Sequence, residues 1–237
     1  MAHLIMKVIP SNRITRKGFL WPKVGGIVTA PDWSDEPECG GGLHGWLNGD
    51  GDHFTQTYSE SPDAIWLAIV TDSIVDLCGK VKFQKGLVVF EGSAGDVASY
   101  IHERRPGVGV MHLTLTGGHC STLTSGRNST LTGGHCSTLT GGYGSTLTGG
   151  DDSALTGGDD STLTGGDAST LTSGRNSTLT GGDGSTLTGG DDSTLTGGDA
   201  STLIFKTPFG ISVAVVGQHG VRENTPYMWD TLPSTAT

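Results

Sequence analysis

The sequence predicts an all-β chain dominated by a β-solenoid, preceded by a small β-rich or α+β domain and followed by a C-terminal cap. Three observations predict it. Leucine recurs at every eighth residue from Leu115 to Leu203, twelve times without a slip. The repeating unit is Ser-Thr-Leu-Thr-Gly-Gly-x-x, a strand-length alternation followed by turn residues. Glycine supplies 40 of 237 residues and only 34% are hydrophobic, so one large globular core is out of reach and stacked units have to build the core instead.

An eight-residue period does not fit the 3.6-residue turn of a helix, and the glycine pairs weaken any helix further. In a strand, Ser and Leu point to one face and the two threonines to the other. Leucine goes inward and Thr-x-Thr outward, with Gly-Gly-x-x as the turn, where glycine adopts positive φ at little cost. One unit makes one side of a flattened coil, and two units close it into a sixteen-residue coil. Eleven intervals of eight give five and a half coils, a rod roughly 26 Å long at about 4.8 Å per coil. One leucine per eight residues does not offset the entropy of ordering all eight, so hydrogen bonds between coils and covered ends must supply the rest.

The chain divides into residues 1–113, 114–203 and 204–237. In the first segment, residues 3–9, 24–30, 65–71 and 86–91 read as strands. Pro31 to Asp52 reads as a glycine-rich loop, Asp72 to Leu77 as a turn or helical piece, and Asp96 to Glu103 as one or two helical turns. After the last repeat, STLIFKTPFGISVAVV (201–216) gains apolar density as the glycine pairs stop. A solenoid end exposes unpaired backbone, so residues 204–230 are expected to cap it, with Phe205, Phe209 and Trp229 closing the leucine core. The strand-like piece Ile211 to Val216 is also suited to pair with a second copy, a tail-to-tail homodimer through residues 204–230.

The net charge of −10 repels a phosphate backbone, which argues against nucleic acid as a partner. No apolar run of about 18 residues is present to span a membrane. MAHLIMKVIP reads as a first strand rather than a signal peptide. The four cysteines, Cys39, Cys78, Cys120 and Cys136, do not form a disulfide framework for a chain of this length, and the cytoplasm is the expected location.

The units between Gly142 and Gly166, GYGSTLTGGDDSALTGGDDSTLTGG, resemble the central repeats of bacterial ice nucleation proteins in period and in Ser-Thr-x-Thr order. The resemblance covers residues 114–203. It implies a β-solenoid and an outward threonine surface that binds ice or weakly nucleates it. The residues concerned are Thr122, Thr124, Thr130, Thr132, Thr138, Thr140, Thr146, Thr148, Thr162, Thr164, Thr178, Thr180, Thr186, Thr188, Thr194 and Thr196. The first segment, through GFLW (18–21) and Cys39-Gly40-Gly41-Gly42-Leu43-His44, resembles an uncharacterised domain of bacterial and phage proteins that Gly-rich repeats often follow. That resemblance implies organisation and no activity.

The two residues before each serine vary. With two units per coil they sort onto two edges. One carries Arg127, Tyr143, Asp159, Arg175 and Asp191, and places Arg175 between two aspartates. The other carries His119, His135, Asp151, Asp167, Asp183 and Asp199, four aspartates about 5 Å apart that repel one another or attract a cation such as calcium. His119, Cys120, His135 and Cys136 lie one coil apart. They form a simple ladder, ligate zinc, or join Cys120 to Cys136 in a disulfide. In the glycine-rich loop, Cys39 and His44, with Asp32 and His53 nearby, form a structural loop, a metal or ligand site, or a nucleophile–base pair. No complete catalytic motif accompanies them. The reading that follows is a non-catalytic scaffold without a cofactor. Ice binding is one alternative, and an N-terminal enzyme or ligand-binding domain with the solenoid as a handle is another.

Overall fold

The computed structural model describes residues 2–51, 61–208 and 210–216. Its N-terminal part is an antiparallel sheet built from β1 (His3–Ile9), β4 (Ile27–Thr29), β5 (Leu43–Leu47), β6 (Ile65–Thr71), β7 (Val75–Asp76), β8 (Val81–Phe83) and β9 (Lys85–Gly92). A two-residue pair, β2 (Ile14–Thr15) and β3 (Phe19–Leu20), stands apart. The order across the sheet is β4-β9-β6-β1-β5-β8-β7. The apolar runs LIMKVI and IWLAIV place β1 and β6 at its centre, where both faces are covered.

One face carries Met6, Val8, Trp46, Trp66 and Ala68 against α1 (Ala94–Arg104), which contributes Val97, Ala98 and Ile101. Ser93 begins that helix with a capping box: its hydroxyl accepts the Asp96 N–H and the Asp96 carboxylate accepts the Ser93 N–H. The other face buries Ile5, Leu67, Ile69, Phe83 and Val88 under Trp21 and Val28.

The four expected strands all form, and the helix is longer than expected. Two expectations are corrected. Pro31 to Asp52 is not loop throughout, because Leu43–Leu47 pairs with β1 and β8. Its glycine, which argued for a loop, is what lets the strand approach. A Cβ on Gly45 would collide with the Ile5 side chain and meet the Met6 carbonyl at 2.7 Å. Within Asp72 to Leu77, Val75–Asp76 is a short strand on β8 rather than a helical piece.

Eleven short strands follow, β10 (Thr114–Thr116) through β20 (Thr194–Thr196), each starting eight positions after the last. They alternate between two parallel sheets, so each strand pairs with the next but one, leucine over leucine as in Leu147↔Leu163. This is the expected solenoid of sixteen-residue coils. Leucines from Leu131 to Leu187 are at most 1% exposed and form one continuous core. Leu115 packs against both this core and the helix-side core of the N-terminal sheet, so the two cores meet. Residues 110–112 lie along the first coil: Gly126 N–H donates to the Val110 carbonyl and His112 N–H to that of Arg127.

The turn corrects the expected role of the glycine pair. Positive φ falls on the residue just before each serine, from Cys120 at 49° to Ala200 at 58°, and not on the pair itself. The glycines are there for space. A Cβ on Gly149 would meet Ser153 Cβ at 2.7 Å and Leu155 Cδ1 at 2.9 Å. A Cβ on Gly158 would meet the backbone nitrogen of Tyr143, one coil earlier, at 2.7 Å. Where the first position is glycine it makes room for the inward serine and leucine, although Ser125 and Ser173 hold that position in two units, and the second glycine lets successive turns stack.

At the far end, β21 (Thr202–Thr207) continues the ladder on Thr186–Gly189 and turns back into β22 (Gly210–Val215), which pairs antiparallel to it. Phe205 packs against the leucine core as expected. Phe209 and Trp229 lie outside the described residues, as do residues 217–230 of the expected dimer segment. Ile211 and Val213 on β22 are more than half exposed.

Candidate functional site

Each solenoid sheet turns its threonines to solvent. One face stacks Thr130/Thr132, Thr146/Thr148, Thr162/Thr164, Thr178/Thr180 and Thr194/Thr196 in register. The opposite face carries Thr122/Thr124, Thr138/Thr140 and Thr186/Thr188, with Ala154 interrupting one row. All of these threonines are exposed except Thr186 and Thr188, which are half-buried. Two hydroxyls on a rung stand about 6.6 Å apart and successive rungs about 4.8 Å. The result is a flat, regular array on each face.

The inward polar atoms are committed to holding coils together. The Ser137 N–H donates to Ser153 Oγ at 3.2 Å, and that hydroxyl donates to the Gly134 carbonyl at 3.3 Å. Ser129, Ser161, Ser169 and Ser185 repeat the N–H bond to the next serine. Buried hydroxyls therefore tie each of these coils to the next.

The edge of Asp151, Asp167, Asp183 and Asp199 assembles as expected, but it is more than a column of repelling charges. Asp151 Oδ1 accepts the backbone N–H of Asp167 at 3.0 Å, Asp167 Oδ1 that of Asp183 at 2.9 Å, and Asp183 Oδ1 that of Asp199 at 2.8 Å. Each carboxylate reaches across one coil to a turn N–H. This explains aspartate at the variable position, and sequence reasoning missed it because it considered charge alone.

On the other edge, Arg175 donates to Asp159 through its guanidinium at 3.1 Å and its backbone N–H at 2.9 Å. The N–H and then the guanidinium hold the Asp159 carboxyl below its usual pKa. The Arg127 guanidinium lies 5.7 Å from the Tyr143 ring centre. The Tyr143 hydroxyl donates to Asp160, which raises the phenol pKa.

The His-Cys units meet in pairs. The His119 and His135 rings stack at 5.1 Å, and His135 Nε2 lies 3.5 Å from Asp152 Oδ2. The Cys120 sulfur accepts the Cys136 S–H, which raises the Cys136 pKa. Among the described residues, no three His, Cys, Asp or Glu side chains come together as a group that could hold a metal ion, here, along the acidic edge or in the N-terminal loop.

In the N-terminal loop, Cys39 is exposed and makes no hydrogen bond to His44; His53 lies outside the described residues. His44 instead sits across from Lys82 on the neighbouring strand, with its Nε2 buried and unpartnered. Burial, then the charges of Lys80, Lys7 and Lys82, lower its pKa to about 4, so it is neutral at neutral pH. The residues that sequence reasoning missed are two buried lysines. Lys82, fully buried, donates to the carbonyls of Glu38 at 3.1 Å and Gly40 at 3.4 Å, pinning the loop on both sides of Cys39. Lys7 lies 5.7 Å from the Trp21 ring centre, and burial lowers its pKa to about 7. A lysine inside LIMKVI was the available signal.

Comparison with protein-family models, curated proteins and solved structures gave no match. Among the described residues, no helix is long and apolar enough to cross a membrane.

Proposed function

We propose that the chain is a non-catalytic structural scaffold, a stiff rod that presents two threonine faces and one acidic edge. The observation that carries this reading is the division of labour within the unit. Leucine, serine and both glycines are used inside, while the outward threonines are regular and uncommitted. A regular array of threonines turned to solvent points to a surface that is used.

Ice binding is the second reading, and the in-register threonine rows favour it. Hydroxyls and methyls repeated at fixed spacings along two axes are suited to ordering water. An ice-recrystallisation assay separates the two. The scaffold reading expects crystals to coarsen at the control rate. Slowed coarsening that disappears in a Thr146→Lys/Thr162→Lys variant with unchanged circular dichroism would replace it with ice binding.

Assembly belongs to the scaffold reading. An exposed outer strand bearing Ile211 and Val213 is an edge suited to pairing with another strand. A two-fold tail-to-tail dimer through residues 204–230 would close it. Light scattering over a range of concentrations tests this. The dimer is expected to revert to monomer in Val213→Lys; a monomer at every concentration would rule it out and leave β22 as a cap.

A further inference from the structure

We propose that Cys120 and Cys136 form a redox-closable clasp that ties the first coil of the solenoid to the second. The two residues occupy the same turn position one coil apart, both with φ in the left-handed region, at 49° and 62°. The Cys120 N–H donates to the His135 carbonyl at 2.8 Å, which locks the two turns in register. Their sulfurs are already neighbours, one donating to the other, and both side chains are exposed to a dissolved oxidant. In-register neighbours on stacked strands lie about 4.8 Å apart, within the Cα separation a disulfide spans.

The position gives the clasp something to do. The corner at residues 125–128 is covered by residues 109–112, whereas the opposite corner, with Cys120, is held to the second coil by its own ladder bonds. Leu115 and Leu123 are only partly buried, unlike the leucines of the next coils. In a linear stack, opening starts where contacts are fewest. A covalent link at this corner holds the first coil closed.

The oxidant is a peroxide. One thiolate attacks a peroxide oxygen, the O–O bond breaks and hydroxide leaves, giving a sulfenic acid. The neighbouring thiolate attacks that sulfur, the S–S bond forms and a second hydroxide leaves. The two thiol protons convert both hydroxides to water, so two thiols and one peroxide give one disulfide and two waters.

Arg127 lies between the two cysteines, so trypsin cuts the backbone there and leaves the peptides joined only through sulfur. Cys39 and Cys78 fall together in a different tryptic peptide, between Lys23 and Lys80. Hydrogen peroxide is added to the full wild-type chain, followed by non-reducing digestion and mass spectrometry. The expected product is the Cys120–Cys136 linked pair within a single chain, at a rate independent of protein concentration. Hydrogen exchange at residues 117–121 is expected to slow on oxidation in the wild type and to stay unchanged in Cys120→Asn/Cys136→Asn. Asparagine already occupies this turn position at Asn128 and Asn176, so that variant is expected to fold. Unlinked peptides bearing sulfinic acid, or links found only between chains, would overturn the clasp. Exchange at 117–121 unaffected by the link would overturn its role in closing the first coil.

Discussion

The N-terminal sheet and the solenoid bury their apolar side chains by opposite means. In the sheet, Trp46, Trp66, Phe83 and Ile69 differ in shape, and strands distant in sequence lie side by side. Its information lies in which residue stands where. In the solenoid one side chain repeats, and each leucine meets its ladder neighbours one coil away on either side. Its information lies in the spacing. A one-residue slip would turn the inward side chains of a strand outward in either region, but only in the solenoid does a single spacing set the register of every coil. The sheet also tolerates two buried lysines, whereas the solenoid admits only serine hydroxyls inside.

The largest expected effect breaks the solenoid alone. Leu163 is fully buried between Leu147 and Leu179. Leu163→Ala should cost about 2–5 kcal/mol, and Leu163→Asp more, because a carboxylate there has no partner. Thr162→Ser, on the outer face, should be nearly silent. Far-UV circular dichroism melts give the comparison, and equal losses at 162 and 163 would overturn the inward and outward assignment. The stacked Trp46–Trp66 pair, 5.8 Å apart, reports on the sheet in the near-UV. That signal should survive Leu163→Asp, since a linear stack passes damage only to neighbours.

The next effect is confined to the sheet. With a pKa of about 7 instead of 10.5, Lys7 stays neutral in the folded chain across a range where the unfolded chain binds its proton. Stability should therefore rise from pH 7 to about pH 10.5 and be lowest at and below pH 7. The Trp21 ring favours the ammonium and offsets part of this. Lys7→Met should flatten the dependence and add roughly 2–4 kcal/mol at pH 7. Denaturant midpoints of both proteins at several pH values check it; parallel curves would show that Lys7 is not the source.

A smaller effect returns to the turns. Gly158→Ala drives a Cβ into the Tyr143 backbone and should cost about 1–3 kcal/mol. Gly184 has φ at 66° with open space around it. Gly184→Asn should change stability by no more than about 0.5 kcal/mol. The reverse ranking in urea titrations would restore φ, rather than space, as the reason for glycine.

The solenoid was legible because its pattern is periodic. Coil length, the leucine core, the threonine faces and both edges follow from counting by one unit and by two. What counting does not reveal is which atom meets which. Asp151 was legible as a charge but not as an acceptor for the Asp167 N–H, and the glycine pair as flexible but not as small. In the sheet, strands with strong apolar runs were legible, while Leu43–Leu47 was hidden by glycines that serve close approach. Cys39 and His44 share a short loop in sequence. The strand at His44 instead pairs it with Lys82, a residue far along the chain that no local pattern connects to it.

The smallest effect separates the two roles of the acidic edge. Asp167 carries a charge between Asp151 and Asp183, and its Oδ1 accepts the Asp183 N–H. Asp167→Asn keeps an oxygen in that place and removes the charge. Asp167→Ala removes both. If repulsion dominates, both variants should be as stable as the wild type or more so at low salt, with the gain fading as salt rises. If the hydrogen bond dominates, Asn should match the wild type while Ala loses stability at every salt concentration, because a turn N–H has lost its acceptor. The geometry favours a mixture with a definite order: Asn at or above the wild type at low salt, and Ala below Asn throughout, each difference under about 1 kcal/mol. Melting temperatures of the three proteins in metal-free buffer at low and high salt decide it. Ala equal to Asn would remove the hydrogen-bond role, and calcium stabilising the wild type but neither variant would turn the edge from a ladder into a cation site.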